Sequence, residues 1–457
     1  MSYQDVLNYL YAPQRIQGQN SIKAGQRGTT DAPERTLEPM RQALAAMGNP
    51  HLRFKSVHIA GSKGKGSVSA MLASVLDTAG YRVGLFTSPH LHSYRERMQI
   101  NRALPSEADI VELFEARRAL FDAMSELITF ELTTLMAFDY FAREGVEIAV
   151  IEVGLGGRLD STNVVLPEVS VIAALSLEHT AILGDTIEKI AFEKAGIIKP
   201  GVPAILAPNV PAATAVVAEI ARERGAPLLR VGEDIPYRLG DAYPRGQSFE
   251  VRRWPSGPWQ RETIPLLGEH QAVNAACAIG AVDVLISRGI PVSDQALTRG
   301  LADVRWPARL EVLGETPLVV VDGAHTPDSA AYAVAALRRH LTFDRLILVF
   351  GALSDKDVGG MLDALLPASS AVVMTRSRYP RALAGDDLAQ MAEARGVTPA
   401  AVTDDVPEGL AAALGIARPQ DLVLVTGSLF VAAAAREAWL HWRKLPLPDL
   451  DPPLHGD

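Results

Sequence analysis

Residues 57–67 read VHIAGSKGKGS. It runs from an apolar, strand-like segment through a glycine-rich turn into a helical pattern. Glycines permit positive φ angles and close backbone approach, so successive N–H groups can hold phosphate oxygens at a helix N-terminus. The stretch therefore predicts a phosphate-binding loop in which Lys65 reaches the terminal phosphates and Ser67 lies near a metal ion.

The spacing of this loop differs from the common GxxxxGK[ST] pattern, because Gly66 separates Lys65 from Ser67. A plain solvent-exposed turn is the alternative interpretation. The strand before the turn, the helix after it and the register of the lysine favour the phosphate loop.

Outward from the loop, apolar runs alternate with helical patterns, which is typical of parallel α/β architecture. In the first half of the chain we predict strands at residues 55–60, 82–87, 148–153 and 169–175. Helices are predicted at residues 67–79, 107–126, 131–143, 186–197 and 270–287. Short strand-like runs at residues 247–263 predict a small antiparallel excursion.

A second α/β series follows residue 304, with strands predicted at residues 318–322, 346–350, 371–375 and 422–426. The predicted fold class is α/β, with an N-terminal P-loop-type parallel-sheet ATPase domain and a smaller C-terminal Rossmann-like α/β domain. We expect the boundary near residues 295–305, which gives domains 1–299 and 300–457. Ligands usually bind in the cleft between such domains.

Composition argues against several classes of function. The chain has 457 residues, a formal net charge of −9 and a pI near 5.7, which disfavours bulk affinity for nucleic acid or an acidic membrane surface. No apolar run reaches the ~20 residues that a bilayer-spanning helix needs, and the first residues lack the pattern of a secretory signal. The single cysteine, Cys277, excludes an intramolecular disulfide. We therefore expect a cytoplasmic protein that acts on small molecules.

Polar residues follow several predicted strands, at the sheet edge where open parallel sheets bind ligands. Ser88 ends the second strand, Glu152 precedes a glycine-rich loop, and His179 follows the fourth strand. Mg²⁺ is bound by few protein oxygens and several waters, so one carboxylate with hydroxyls and phosphates would suffice. Asp322 and His325 repeat the arrangement in the second half. Taken singly, each of these residues could equally be structural.

Together, these segments resemble the folylpolyglutamate synthase/dihydrofolate synthase family, which lies within the Mur ligase superfamily. The resemblance keeps its order along nearly the whole chain. It rests on HIAGSKGKGS, LFTSPHL, FELTT, EVGLGGRLDSTNV, LEHTAILGDTIEKIAFEKAGIIKPG, GEHQAVNAA, RWPARLE, DGAHTPDS, GALSDKD and VTGSLF. The segments EVGLGGRLD and EKAGIIKPG are the most specific, because they are long.

The resemblance implies ATP and Mg²⁺ as cofactors. It implies nucleotide contacts from Gly61, Ser62, Lys63, Gly64, Lys65, Gly66, Ser67, Asn274, Arg309 and Asp322. It implies metal ligation by Ser67, Ser88, Glu152, His179 and Lys194. Lys194 would act as a carbamylated lysine, whereas spacing alone would leave it as a surface charge. The resemblance implies substrate contacts from Phe130, Thr133, Arg158, Asp160, His325 and Ser428, and catalytic roles for Lys65, Lys194, His179 and His325.

The chain departs from the family pattern at a few positions. Ser62 and Lys63 stand where the loop GTNGKGS has Thr and Asn. Glu178 stands where Asp is usual, Ala308 where WPGRLE has Gly, and Thr326 where DGAHNP has Asn.

The implied reaction is the ATP-dependent addition of L-glutamate to dihydropteroate, to the γ-carboxylate of reduced folates, or to both, through an acyl phosphate. We expect the bifunctional form, acting as a monomer on small molecules without nucleic-acid or membrane partners. The alternatives are another amino-acid ligase of the Mur superfamily and an ATP-binding regulator without catalysis. The short segment before residue 61 disfavours a peptidoglycan-precursor ligase, which carries an additional N-terminal domain. A regulator would have no use for Arg309 and Asp322.

Overall fold

The computed structural model describes residues 1–13, 15, 33–253 and 257–452. The strands are β1 (Lys55–Ala60), β2 (Val83–Phe86), β3 (Met98–Ile100), β4 (Ile148–Glu152), β5 (Val169–Ile172), β6 (Ala204–Leu206), β7 (Leu228–Arg230), β8 (Tyr237–Tyr243), β9 (Gly246–Val251), β10 (Gln260–Ile264), β11 (Glu311–Glu315), β12 (Leu318–Val321), β13 (Leu346–Phe350), β14 (Ala371–Met374), β15 (Ala401–Val402) and β16 (Leu422–Thr426).

Helices alternate with these strands. Apart from short 3₁₀ turns, they are α1 (Tyr3–Leu10), α2 (Pro33–Ala46), α3 (Lys65–Thr78), α4 (Glu107–Glu115), α5 (Arg118–Ala123), α6 (Thr129–Arg143), α7 (Thr180–Leu183), α8 (Ile187–Ala195), α9 (Pro211–Glu223), α10 (Glu269–Ser287), α11 (Asp294–Ala302), α12 (Pro327–His340), α13 (Val358–Leu365), α14 (Gly385–Glu393), α15 (Val406–Ile416) and α16 (Leu429–Trp442). We call residues up to 302 the N-terminal part and residues from 303 the C-terminal part.

The N-terminal part is built on a seven-stranded sheet of order β3-β2-β4-β1-β5-β6-β7. All neighbours in it pair in parallel except β3, which is antiparallel to β2. Helices α3 and α10 share one apolar cluster with the central strands, and α1 and α6 contribute to a second. Because both faces are covered, β1 and β4 are almost wholly buried, which explains their near-continuous apolar sequences.

The strands predicted in this part are confirmed within a few residues. The predicted antiparallel excursion is also confirmed, as a three-stranded sheet of order β10-β9-β8 that begins earlier than predicted, at Tyr237. The single helix predicted at residues 107–126 is wrong, because the structure has the two short helices α4 and α5 there. Between them the chain turns so that Arg117 pairs with the buried Asp139 of α6, at 2.9 Å.

Helix α10 is long and apolar enough to cross a membrane, judged by its length and composition alone. The prediction from the sequence considered only uninterrupted apolar runs and did not identify this helix as a candidate membrane span. However, 78% of its apolar window is buried inside the protein. It packs against α3 and β5, so we describe it as a core helix of the N-terminal sheet.

The C-terminal part is built on a six-stranded sheet of order β11-β12-β16-β13-β14-β15. Its strands pair in parallel except β11, which is antiparallel to β12. The four predicted strands are confirmed within a residue or two, and the edge strands β11 and β15 are additions. The α/β class with a parallel N-terminal sheet and a second α/β sheet is therefore confirmed.

The division into domains 1–299 and 300–457 stays a prediction. The proposed boundary falls inside α11, and this helix packs against α3 of the N-terminal sheet. The Ser74 hydroxyl of α3 donates to the Gly300 carbonyl at 2.6 Å. Counting α11 with the sheet on which it packs would extend the first domain to Ala302.

The close approach of α11 and α3 gives a prediction about stability. A Cβ atom at Gly300 would lie 2.4 Å from the Cα of Val75, so the two backbones must separate to admit it. We predict that Gly300→Ala lowers the free energy of unfolding by about 1–3 kcal/mol in urea. Gly415 of α15 is the matched control, since a Cβ there meets nothing within 4 Å. Gly415→Ala should raise the free energy of unfolding by up to about 1 kcal/mol, and equal effects of both changes would contradict this account of the packing.

Candidate active site

The glycine loop lies at the carboxyl end of β1, the strand between β4 and β5. The backbone N–H groups of Ser62 and Lys63 both donate to the Ala174 carbonyl, at 2.8 and 3.0 Å. The Ser62 hydroxyl donates to the Ser176 carbonyl at 3.0 Å. These bonds tie the loop to the segment that follows β5, and helix α3 starts directly after it, at Lys65.

Gly64 occupies a position in the loop that strongly favours glycine. Its φ is +85°, and a Cβ there would lie 2.4 Å from the Asn274 amide oxygen of α10. The structure thus brings the predicted nucleotide contact Asn274 against the loop. A Cβ at Gly66 would lie 2.8 Å from the ring of Trp306. Sequence reasoning missed Trp306, although it lies in the quoted motif RWPARLE.

Two lysine side chains converge on the loop. The Lys65 and Lys194 ammonium groups both donate to the Gly61 carbonyl, at 2.9 and 3.0 Å. Lys194 also pairs with Glu178 at 2.7 Å, and its side chain is almost fully buried. Burial lowers the pKa of Lys194 to about 8, against the opposing charge of Glu178. The interpretation of Lys194 as a surface charge is therefore wrong; its place four residues after the buried Ile190 was the available signal.

Glu152 ends β4 with its carboxylate buried beside the loop. Its Oε2 accepts the Ser88 N–H at 3.3 Å. Burial raises the pKa of Glu152 to about 7, although Lys65 and Arg309 act in the opposite direction. Among the described residues, no side chain forms an ion pair with this carboxylate. A bound cation would supply the missing opposite charge. Glu152 and the adjacent Ser88 therefore fit a hard cation such as Mg²⁺.

His179 lies at the start of α7, with φ of +48°. Burial lowers its pKa to about 4, and the charges of Lys356, Lys194 and Lys65 act in the same direction. The imidazole is thus neutral near pH 7, as a metal ligand must be. Among the residues that the structure describes, no group of three or more His, Cys, Asp or Glu side chains could hold a metal. This finding is compatible with Mg²⁺, which keeps most of its waters, but Lys194 could join as a ligand only after carbamylation.

The C-terminal part contributes charged groups to the same place. The Asp322 carboxylate accepts N–H groups of Leu310 and Ala324, both at 2.9 Å, and burial raises its pKa against the charge of Arg309. The His325 imidazole contacts the Gly323 carbonyl through Nδ1 at 3.0 Å.

Charges from both parts act on His325. Burial is the largest cause that lowers the pKa of His325, and the charges of Lys356 and Arg309 lower it further. The charge of Glu178, in the N-terminal part, raises it. Lys356 was missed as a site residue, although the segment GALSDKD was noted. Lys63 reaches across as well, and its ammonium pairs with Asp328 of α12 at 2.7 Å. The two parts therefore meet at the glycine loop.

The predicted substrate residues Phe130 and Thr133 lie on α6. Phe130 is half-buried against Gly154, where a Cβ would come within 2.4 Å of its ring. Thr133 is fully buried; its hydroxyl donates to the Thr129 carbonyl and accepts the Tyr94 hydroxyl at 3.2 Å. The substrate roles stay predictions. In this structure the Thr133 side chain is buried and not accessible at the protein surface.

The remaining predicted substrate residues bind other protein groups. Arg158 forms an ion pair with Glu193 at 2.6 Å. The Asp160 carboxylate accepts N–H groups of the loop after β4, from Gly154 and Leu155 among others. Ser428 is buried and caps α16. Each holds the site's framework in this structure, and their contact with substrate stays a prediction.

Two departures from the family pattern have structural reasons. Glu178 reaches the buried Lys194 ammonium. Thr326 caps α12, because its hydroxyl accepts the Ser329 N–H at 3.3 Å.

The fold and the glycine loop are those of a Mur ligase. Residues 59–282 match the Mur ligase middle domain, and residues 308–429 match the Mur ligase glutamate ligase domain. A Bacillus subtilis dihydrofolate synthase/folylpolyglutamate synthase is 34% identical over 88% of this chain and 94% of its own length. The structure of Mycobacterium tuberculosis folylpolyglutamate synthase complexed with ADP has a TM-score of 0.83 at 31% identity, covering 93% of this chain and 98% of that one.

The chain therefore belongs to the folylpolyglutamate synthase/dihydrofolate synthase family. A Halobacterium salinarum protein named a probable bifunctional folylpolyglutamate synthase/dihydropteroate synthase is 40% identical over 89% of this chain. This chain spans 50% of that protein's length.

Glu152 gives a prediction about pH. Its pKa is about 7 in the folded protein and 4.5 in the reference state, so the folded chain holds an extra proton between these values. Stability therefore falls as pH rises through this window. We predict that Glu152→Gln in metal-free buffer raises the free energy of unfolding at pH 8 by about 3 kcal/mol and changes it little at pH 4.

Urea unfolding in EDTA at both pH values measures this difference. The exposed Asp404 supplies the control variant Asp404→Asn, which should leave stability unchanged at either pH. A gain for Glu152→Gln that is equal at pH 4 and pH 8 would contradict the burial of an ionised carboxylate.

Proposed function

We propose that this chain is an ATP-dependent ligase that adds L-glutamate to dihydropteroate and to the γ-carboxylate of reduced folates through an acyl phosphate. The observation that carries the proposal is the convergence of Lys65 and Lys194 on the glycine loop, opposite Arg309, His325 and Lys356 of the C-terminal part. The activities named for its relatives support the same reaction. We further propose that the chain works as a cytoplasmic monomer.

In this proposal the phosphates of ATP lie against the loop N–H groups at the N-terminus of α3. Lys65 turns from the Gly61 carbonyl to the terminal phosphate and stabilises charge on its oxygens. The side chains proposed to bind the rest of the nucleotide are Asn274, Arg309 and Asp322. Phosphoryl transfer needs positioning and electrostatics, so no protein nucleophile is required.

The residues proposed to hold Mg²⁺ are Ser67, Ser88, Glu152 and His179, with Lys194 joining as a carbamate. The bound ion would neutralise charge on the transferred phosphoryl oxygens. The pKa of Lys194, about 8, leaves a usable fraction of neutral amine near pH 7, and the neutral amine is the form that reacts with CO2.

The second step joins the acyl phosphate to glutamate. His325 keeps one proton on Nδ1, which faces the Gly323 carbonyl, and this leaves Nε2 as an acceptor. With its pKa lowered by burial, the imidazole is neutral and can take a proton from the ammonium group of glutamate. The neutral amine then attacks the acyl carbon, the amide bond forms, and phosphate leaves. Lys356 supplies positive charge for glutamate's carboxylates. Closure of the two parts would exclude the water that hydrolyses an acyl phosphate.

The test is release of phosphate from ATP with glutamate and either dihydropteroate or a reduced folate monoglutamate. We expect release with both acceptors, loss of release in EDTA, and recovery with Mg²⁺. Lys65→Ala should lower kcat/KM by at least about a thousandfold. Release with one acceptor would narrow the activity to that acceptor. The absence of glutamate-dependent release with both acceptors would overturn the proposal in favour of an ATP-binding regulator.

Gly64 tests the nucleotide loop separately from turnover. We predict that Gly64→Ala weakens ADP binding by at least about tenfold, because the new Cβ displaces Asn274 and strains the loop. Gly201→Ala is the matched control, since Gly201 also has a positive φ, +68°, but meets nothing within 4 Å. Isothermal titration measures Kd for ADP in both variants. An unchanged Kd for Gly64→Ala would contradict the proposal that this loop binds the nucleotide.

A further inference from the structure

After helix α16, the chain leaves the C-terminal sheet and returns to the N-terminal part. After α16 ends at Trp442, residues 443–452 run without a helix or strand; we call them the strap. Their acidic side chains, Asp449 and Asp451, both bind residues of the N-terminal part. None of the roles assigned above involves the strap.

Asp451 makes the densest of these contacts. Its Oδ1 accepts the hydroxyls of Tyr3 and Ser93, both at 2.7 Å. Its Oδ2 accepts the Tyr94 N–H at 2.6 Å. The Asp451 N–H also faces the His92 carbonyl, at 3.4 Å. A carboxylate with three donors at such short distances is a strong, directional anchor.

Asp449 adds a second anchor beside the first. Its carboxylate pairs with Arg95 at 3.2 Å, and the Arg95 side chain is only 10% exposed. The guanidinium also donates to the Pro105 carbonyl at 3.1 Å. Removing the strap would therefore leave a largely buried cation without its acidic partner, which proteins tolerate poorly.

Both anchors act on one segment, residues 88–97, which we call the bridge loop. The C-terminal part holds this loop from the other side too. Leu91 packs against the core cluster of the C-terminal sheet, and His92 contacts Glu437 of α16 at 2.7 Å. The bridge loop thus contacts both α16 and the strap, although it belongs to the N-terminal part.

The bridge loop leads directly to the candidate active site. Its first residue, Ser88, donates its N–H to Glu152, and its Tyr94 donates its hydroxyl to Thr133 of α6. Asp451 binds the backbone of that same Tyr94. The glycine loop, in contrast, is held by Ala174 and Ser176, and within the described residues neither forms a hydrogen bond with the strap.

We propose that Asp451 is a positioning residue: the strap fixes the bridge loop between the two parts. Through Tyr94 and its bond to Thr133, a predicted substrate residue, the strap thereby sets the affinity for the acceptor substrate rather than for the nucleotide. The proposal rests on the proposed function for its choice of substrate. The claim that the strap immobilises the bridge loop is independent of the proposed function.

Two measurements separate these claims. Hydrogen exchange of the amides in residues 88–97 follows the bridge loop without any substrate. Steady-state kinetics then gives KM for dihydropteroate. Isothermal titration in metal-free buffer gives Kd for ADP, so that a movement of Ser88, a proposed Mg²⁺ ligand, does not enter the comparison. The variants are Asp451→Ala, the milder Asp451→Asn, and the control Asp404→Ala on an exposed carboxylate of the C-terminal part.

We expect Asp451→Ala to speed exchange in the bridge loop by at least about tenfold and to raise KM for dihydropteroate about fivefold, with Kd for ADP within about twofold of wild type. Asp451→Asn should give smaller changes in the same direction, because the amide keeps one accepting oxygen. Asp404→Ala should change none of the three quantities.

Unchanged exchange in the bridge loop would overturn the proposal. So would a lower melting temperature with unchanged KM, or KM and Kd for ADP rising together, because either would make the strap merely structural. If the wild type shows no glutamate-dependent turnover, the proposed function fails, and hydrogen exchange still decides whether the strap fixes the loop. Should Asp451→Ala not fold, Asp451→Asn carries the same comparison.

Discussion

The Gly61 carbonyl oxygen accepts hydrogen bonds from two ammonium groups, those of Lys65 and Lys194. Two like charges at one oxygen repel; the Glu178 carboxylate pairs directly with Lys194 and also acts on Lys65. The two ammonium groups and the positive end of the α3 dipole thus lie together at the N-terminus of α3. Such a site favours a bound anion, and the other features of the candidate active site lie around it.

Burial gives the neighbouring groups their character. Glu152, Asp322 and His325 lie where the carboxyl ends of parallel strands meet. Removal from water raises the pKa of the two carboxyls and lowers that of the imidazole. The carboxyls therefore favour partners of opposite charge, and the imidazole is left as a proton acceptor. These pKa shifts arise only in the folded protein, because each depends on the burial of the side chain between segments of the two parts.

Specific side-chain contacts join the two parts. Lys63 reaches Asp328, Trp306 covers Gly66, and the bridge loop is clasped by α16 and the strap. Exposed ion pairs such as Lys63–Asp328 contribute little on their own. The anchored contacts at Asp449 and Asp451 are stronger candidates for setting how the parts meet, since they pair with groups that are largely removed from water.

Much of this protein could be predicted from its sequence. The run VHIAGSKGKGS specified a strand, a glycine turn and a helix, because β1 is buried on both faces and the position of Gly64 strongly favours glycine. The strand positions followed for the same reason, since buried parallel strands need continuous apolar runs. The family followed from the ordered motifs. Local pattern predicted less well where a tertiary ion pair intervened, as at Arg117 between α4 and α5.

Other features were decided only by the tertiary structure. Lys194 has the pattern of a surface lysine, and it becomes a buried cation because α8 packs against the loop. Lys356 and Trp306 lie in quoted motifs and Asp451 in none, but no local pattern gives any of the three a role. They reach the site or its framework across the contact between the two parts. Sequence pattern records which residues are near in the chain and which face of an element is apolar. It does not record which side chains from distant segments share one buried space, and that sharing sets their charge, their pKa and their partners.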